Sequence, residues 1–230
     1  MGMILKSVMV GALFPLAAMS LSGGANAALC GSPSFDTLAN LAGSSCMVGD
    51  KTFSFPAAGA YSSDGFNGMT PGLSNVPASA VGVVPATTTT GPGLAFNGGW
   101  VNSSTSPSGD ISIVFTVTAP VTSPITDADL QILSGVGTFL DIESFPGTSI
   151  PSLLAADLSP HTVAISPGVT TLLVTDDLSI GPAINGVPSA VSIIDKQFSE
   201  TSVPEPISLA ILGVSLLAMG AIRRRFRMHT

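Results

Sequence analysis

Few side chains in the body of this chain are equipped for chemistry. His161 is the only histidine between the two terminal segments, while Ser and Asp occur throughout, so the parts of a Ser-His-Asp set are present by count. No G-x-S-x-G elbow accompanies them, and "SPHTVAIS" places His161 at a turn entering a strand, where an ordinary surface role is expected. A zinc site would have to be built from that one His and two cysteines, which are better used on each other. Asp127 and Asp129 alternate onto one strand face and Asp176 adjoins Asp177, and either pair could help hold calcium. Neither sits in a twelve-residue EF-hand loop, and isolated pairs of this kind are usually solvated loop ends. Trp100, in "FNGGWVNSS", is the sole tryptophan; it could stack on a sugar ring, but a lone Trp in a strand more often packs in or beside the core. The expectation is therefore no catalytic residue, no metal ligand and no cofactor.

The two cysteines, Cys30 and Cys46, allow a single intramolecular pairing, and in an exported chain they are expected to form a disulfide. Their spacing is far from C-x-x-C, and no His or basic residue lies near to activate a thiol, so the bond reads as structural. Leu29 directly before Cys30 is bulkier than lipoprotein processing favours. Between the cysteines, Phe35, Leu38 and Leu41 follow helical spacing, with Ser34 as a cap and Gly43 as a stop.

The elements that must carry these residues are strands. Of 230 residues, 9% are charged and 6% aromatic, with 25 Gly and 18 Pro, a composition rich in turns and poor in long helices. In "DISIVFTVTA", Ile111, Ile113, Phe115 and Val117 alternate with Ser112, Val114, Thr116 and Thr118, giving one apolar face. Seven more segments read as strands: "KTFSF", "SAVGVV", "GLAFNGGWV", "DLQILSGVG", "HTVAIS", "TTLLVTD" and "SAVSIID". The connectors "PATTTTGPG" and "NSSTSPSG" read as exposed loops. About eight short strands predict a mainly β fold, an antiparallel β-sandwich with a short disulfide-flanked N-terminal helix.

The ends differ from the body. Lys6 precedes an apolar stretch over residues 8–21, and Ala25-Asn26-Ala27 is a small-x-small cleavage pattern, so residues 1–27 read as a signal peptide with Ala28 opening the mature chain. Between 28 and 202 there are thirteen acids, two lysines (Lys51 and Lys196) and no arginine, a net charge of minus eleven. Such a surface repels phosphate backbones and excludes nucleic-acid binding; most of these acids are expected at the surface, keeping it soluble. The arginines wait at the far end. Residues 207–222 form an uncharged apolar run of sixteen positions, about 24 Å as a helix, slightly short of a hydrocarbon core of roughly 30 Å. Arg223, Arg224, Arg225 and Arg227 follow it and would stop transfer and stay in the cytoplasm, while Pro204 and Pro206 break helix just before it.

Val203-Pro204-Glu205-Pro206, the apolar run with its small Gly and Ala residues, and Arg223-Arg224-Arg225 together resemble the PEP-CTERM sorting signal of exported bacterial proteins. The body resembles a recurrent group of such proteins more loosely, through "CMVGDKTFSF", "GLAFNGGW", "DISIVFTV" and "ITDADL". The resemblance implies three segments: a signal peptide (1–27), an exported domain (28–202) and a sorting signal (203–230) with a transmembrane helix. It implies processing by signal peptidase and by an exosortase-type membrane protease that recognises Pro204, Glu205 and Pro206. The precursor would sit in the inner membrane, N-terminus outside and C-terminus cytoplasmic, before release to the cell surface or an extracellular polysaccharide matrix. The implied role is structural or adhesive, associated with exopolysaccharide or biofilm; the alternative is a calcium-assisted carbohydrate-binding module or secreted enzyme on the same anchor.

Overall fold

A computed structural model describes residues 28–63, 76–87, 91–103, 105 and 108–200. The signal segment through Ala27 lies outside these residues, as do Pro204, Glu205, Pro206, the apolar run and Arg223, Arg224, Arg225 and Arg227. Among the described residues no helix is long and apolar enough to cross a membrane.

In chain order the described elements are α1 (Leu38–Leu41), β1 (Ser45–Val48), β2 (Lys51–Ser54), β3 (Tyr61–Ser62), β4 (Gly82–Thr87), β5 (Pro92–Asn102), β6 (Gly109–Thr118), β7 (Ile125–Val136), β8 (Phe139–Ser144), β9 (Leu153–Ala155), β10 (His161–Val169), β11 (Thr171–Ile180) and β12 (Ser189–Glu200). All strand pairings are antiparallel. One sheet runs β1-β2-β6-β11-β8-β9, with β3 also paired to β6; the other runs β10-β7-β12-β5-β4.

The alternation in β6 works as expected. Ile111, Ile113, Phe115 and Val117 are buried, and Phe115 sits at the centre of an aromatic group that joins the sheets. Its ring centroid lies 5.7 Å from Phe55, 6.1 Å from Phe53, 5.9 Å from Phe96 and 6.2 Å from Phe198. Phe53 and Phe115 belong to the first sheet, Phe96 and Phe198 to the second, so the apolar faces of both meet in one core. Burial of this core, the rings among it, drives folding at roughly 25 cal/mol per Å² of apolar surface removed from water.

Cys30 and Cys46 are disulfide-bonded, and α1 lies between them. Leu38 and Leu41 face the core as their spacing predicts. The cap is Thr37 and not Ser34: the Thr37 hydroxyl accepts the Asn40 backbone N–H at 3.3 Å, which limits the helix to one turn. Gly43, at φ +72°, takes the left-handed position just beyond the C-cap.

Several boundaries move. "SAVGVV" begins as a 3-10 turn at Ala78–Ala80 and becomes a strand only at Gly82. Most of "PATTTTGPG" belongs to β4 and β5 rather than to a loop, and Asn102, read as a loop residue, is buried with its Nδ2 donating to the Ile180 carbonyl at 3.1 Å. Strands β1, β3, β8 and β9 were not among the segments read from the sequence.

Candidate functional site

The most unusual chemistry in the described residues lies between the sheets. In β11 the period of two that buries Leu172, Val174, Leu178 and Ile180 also turns Asp176 inward. β8 pairs with β11 so that Glu143 stands directly opposite Asp176, with Asp141 two residues away on the same face. From the facing sheet, β12 sends Lys196 inward between Ile194 and Phe198. The side chains of Asp141, Glu143, Asp176 and Lys196 are all 0% exposed.

Lys196 Nζ donates to Glu143 Oε2 at 3.0 Å and to Asp176 Oδ1, and lies 3.8 Å from Asp141 Oδ2. Like charges directly opposite on neighbouring strands repel, and one ammonium cannot neutralise three carboxylates. Burial pushes the Glu143 carboxyl up, against the pull of Lys196. Asp176 is raised well above the ordinary carboxylate value, first by burial and then by the charge of Asp141. Burial alone would lower the Lys196 ammonium, but Asp141, Asp176 and Glu143 together overcome it and hold the proton on. A proton kept on Asp176 or Glu143 relieves part of the excess negative charge. Even so, Asp141 Oδ1 and Oδ2, Glu143 Oε1 and Asp176 Oδ2 are buried with no hydrogen-bond partner among the described residues, an unusual concentration for a native interior.

The other lysine is sealed too. Lys51, at the start of β2, is 0% exposed and pairs with Asp50 at 3.0 Å and with Glu200, the last residue of β12. Burial alone would raise the Glu200 carboxyl, but hydrogen bonds from Lys51 and Ser123, with the positive charge of Lys51, bring it below its ordinary value. The strand that leads toward residue 202 is thus tied at its end to the disulfide-bearing region.

The residues singled out in the sequence are scattered. Asp127 and Asp129 do share the outer face of β7, near Asp195 of β12: Thr162 Oγ1 donates to Asp129 Oδ1, and Gln197 Nε2 donates to Asp195 Oδ2 at 2.7 Å. Asp176 and Asp177 point to opposite faces of β11 and cannot serve one ion together. Among the described residues no set of three or more His, Cys, Asp or Glu side chains is placed to hold a metal. His161 Nε2 lies 3.2 Å from Oδ1 of the exposed Asp157, a surface hydrogen bond within one loop-to-strand segment. Trp100 is buried, and its Nε1 donates to Tyr61 Oη at 3.1 Å, which in turn donates to the Val76 carbonyl at 2.8 Å. Its ring packs over Gly98 in a bulge where Gly98 and Gly99 together oppose Ser192, with Gly99 at φ +57°.

In the sequence Lys196 enters only the charge count, Glu143 and Asp141 carry no site expectation of their own, and Asp176 enters only as half of an adjacent pair with Asp177. Most of the described acids do stay out of the interior, as expected, but Asp129, Asp141, Glu143, Asp176 and Asp195 are buried. A signal for Asp176 and Lys196 was available: each continues the inward alternation of an apolar strand face.

Fold and site together define a disulfide-closed antiparallel β domain with an ionic cluster sealed between its two sheets. The segment beyond that domain carries a family signature: residues 202–225 match the PEP-CTERM protein-sorting motif. The chain therefore carries that motif, which implies processing by an exosortase and delivery to the cell surface. Neither curated proteins nor solved structures returned a match to this chain.

Proposed function

We propose that residues 28–202 are the exported portion of an exosortase substrate, a non-enzymatic surface component with a structural or adhesive role in an exopolysaccharide or biofilm matrix. The observation that carries this reading is the sorting motif at 202–225, which begins two residues after β12 ends at Glu200. Signal peptidase acts at Ala27–Ala28, and the exosortase acts near Pro204, Glu205 and Pro206, with the tail spanning the inner membrane until then. A two-sheet domain with a disulfide near its start and its Lys196 cluster turned inward suits a building block better than a catalyst. The alternative, a carbohydrate-binding module or enzyme, loses the support it had from Trp100, since a buried ring offers no sugar platform.

The test is fractionation of cells with and without the sorting protease, together with the mass of the mature carboxyl end. The expected outcome is a surface or matrix form ending near residue 204 in the presence of the protease, and a membrane-held precursor in its absence. An intact carboxyl terminus in both strains overturns the reading.

A further inference from the structure

We propose that Lys196 and Asp176 condense into an intramolecular amide that joins the two sheets covalently, with Glu143 passing the protons and a molecule of water leaving. The arrangement holds a nucleophile, an electrophile and a proton carrier together. Lys196 Nζ is hydrogen-bonded to Asp176 Oδ1 and, at 3.0 Å, to Glu143 Oε2. All three side chains are fully buried.

Moving one proton from Nζ to Asp176 along their hydrogen bond gives a free amine beside a neutral carboxylic acid. That form is minor, because the three carboxyls hold Lys196 as the ammonium, but loss of hydration narrows the gap between charged and neutral pairs. The tendency of Asp176 to keep a proton, caused first by burial and then by Asp141, favours the reactive form of the acid. The amine nitrogen adds to Cγ of Asp176, forming the C–N bond. The Glu143 carboxylate takes a proton from that nitrogen and delivers it to the departing hydroxyl, and the C–O bond breaks to release water. Overall, an ammonium and a carboxylate become an amide and water, with Glu143 restored and no oxidant or reductant needed.

Fixed neighbours of this kind react as if at very high effective concentration. The product removes a buried ammonium from a site where ionic groups are costly. The new amide N–H can still donate to Glu143 Oε2, and its carbonyl offers an acceptor to whichever carboxyl keeps its proton. Asp141, 3.8 Å from the nitrogen, is too far to be the first electrophile. The bond would tie β11 of one sheet to β12 of the other, and it depends on neither the sorting motif nor the surface role.

The decisive measurement needs no variant. Lys51 and Lys196 are the only lysines or arginines between residues 28 and 202. In the reduced, denatured full chain, trypsin is expected to cut after Lys51 but not after Lys196. The uncut peptide is expected to be lighter by the mass of a water molecule, and a second protease that cuts between 176 and 196 should leave two peptides joined through those side chains. In Glu143→Gln, which keeps a hydrogen-bond acceptor for Lys196, cleavage after Lys196 and the full mass are expected to return. Wild-type chain cut after Lys196 at full mass overturns the proposal. A link mapped to Asp141 or Glu143 overturns the assignment of Asp176, and water loss persisting in Glu143→Gln overturns the role of Glu143.

Discussion

At the scale of single residues, two carboxyls of β12 make stability depend on pH in opposite senses. Asp195 is raised above its ordinary 3.8 by burial, despite its bonds from Gln197 and the Lys196 backbone. Below 3.8 both folded and unfolded chains hold that proton; as pH rises, the unfolded chain releases it first, so stability falls until the folded group also ionises. Asp195→Asn, uncharged throughout, is expected to flatten that fall and to gain about 1 kcal/mol at neutral pH, since one Asp195 oxygen is buried without a partner. Urea unfolding at pH 4 and pH 7 checks this, and a variant no more stable than wild type at pH 7 contradicts it. Glu200 works the other way. Its carboxyl sits below its ordinary 4.5 through the bonds from Lys51 and Ser123, so its contribution is present above 4.5 and is lost as pH falls through the folded value. Glu200→Gln is expected to cost about 2 kcal/mol at pH 7, the scale of a charge-assisted hydrogen bond, with the difference from wild type vanishing toward the acid limit of the same titration.

At the scale of elements, the strands legible in the sequence were those whose inward positions are apolar, with β6 the clearest. β8 escaped notice because its inward positions are Asp141 and Glu143 while Leu140 and Ile142 face outward, so the alternation reads with the wrong face buried. β12 was read only as far as Asp195, because Lys196 interrupts an apolar face that resumes at Phe198. Both failures fall on strands of the ionic cluster, and for the same reason: a charged side chain at an inward position breaks the apolar run by which a strand is recognised, although at Lys196 the apolar residues on either side still mark the position as inward. The two cysteines, by contrast, were legible from their number alone. Removing both as Cys30→Ser/Cys46→Ser is expected to cost about 3 kcal/mol through the released loop, given their separation of 16 residues, measured as a shift of the urea midpoint against oxidised wild type. The bulge in β5 offers a sharper local test. A Cβ at Gly98 would lie 2.2 Å from the Trp100 ring, so Gly98→Ala must displace a buried indole at a cost of about 1–3 kcal/mol. Trp100 is the only tryptophan, so its fluorescence reports the displacement directly; an unshifted spectrum with wild-type stability would contradict the packing described.

At the scale of the whole molecule, the order of elements separates what must stay from what can be cut away. β12 is the middle strand of its sheet, paired with β7 on one side and β5 on the other, and it supplies Val191, Ile194 and Phe198 to the shared core. It is also the last described element, ending at Glu200, where Lys51 holds it. A protease acting near Pro204, Glu205 and Pro206 therefore cuts beyond every contact described, and the released domain keeps its full set of pairings. A chain covering 28–200 is expected to unfold in urea as one cooperative transition, with the same midpoint as a chain extended to 206. Ending the chain before Ser189 removes the strand on which β5 and β7 both pair, leaves Asp141, Glu143 and Asp176 without their cation, and should abolish the cooperative transition altogether. Far-UV circular dichroism and the urea profile of the three chains distinguish these outcomes. A 28–200 chain that fails to fold would mean that residues beyond β12 belong to the domain, and that the sorting segment is not a separable tail.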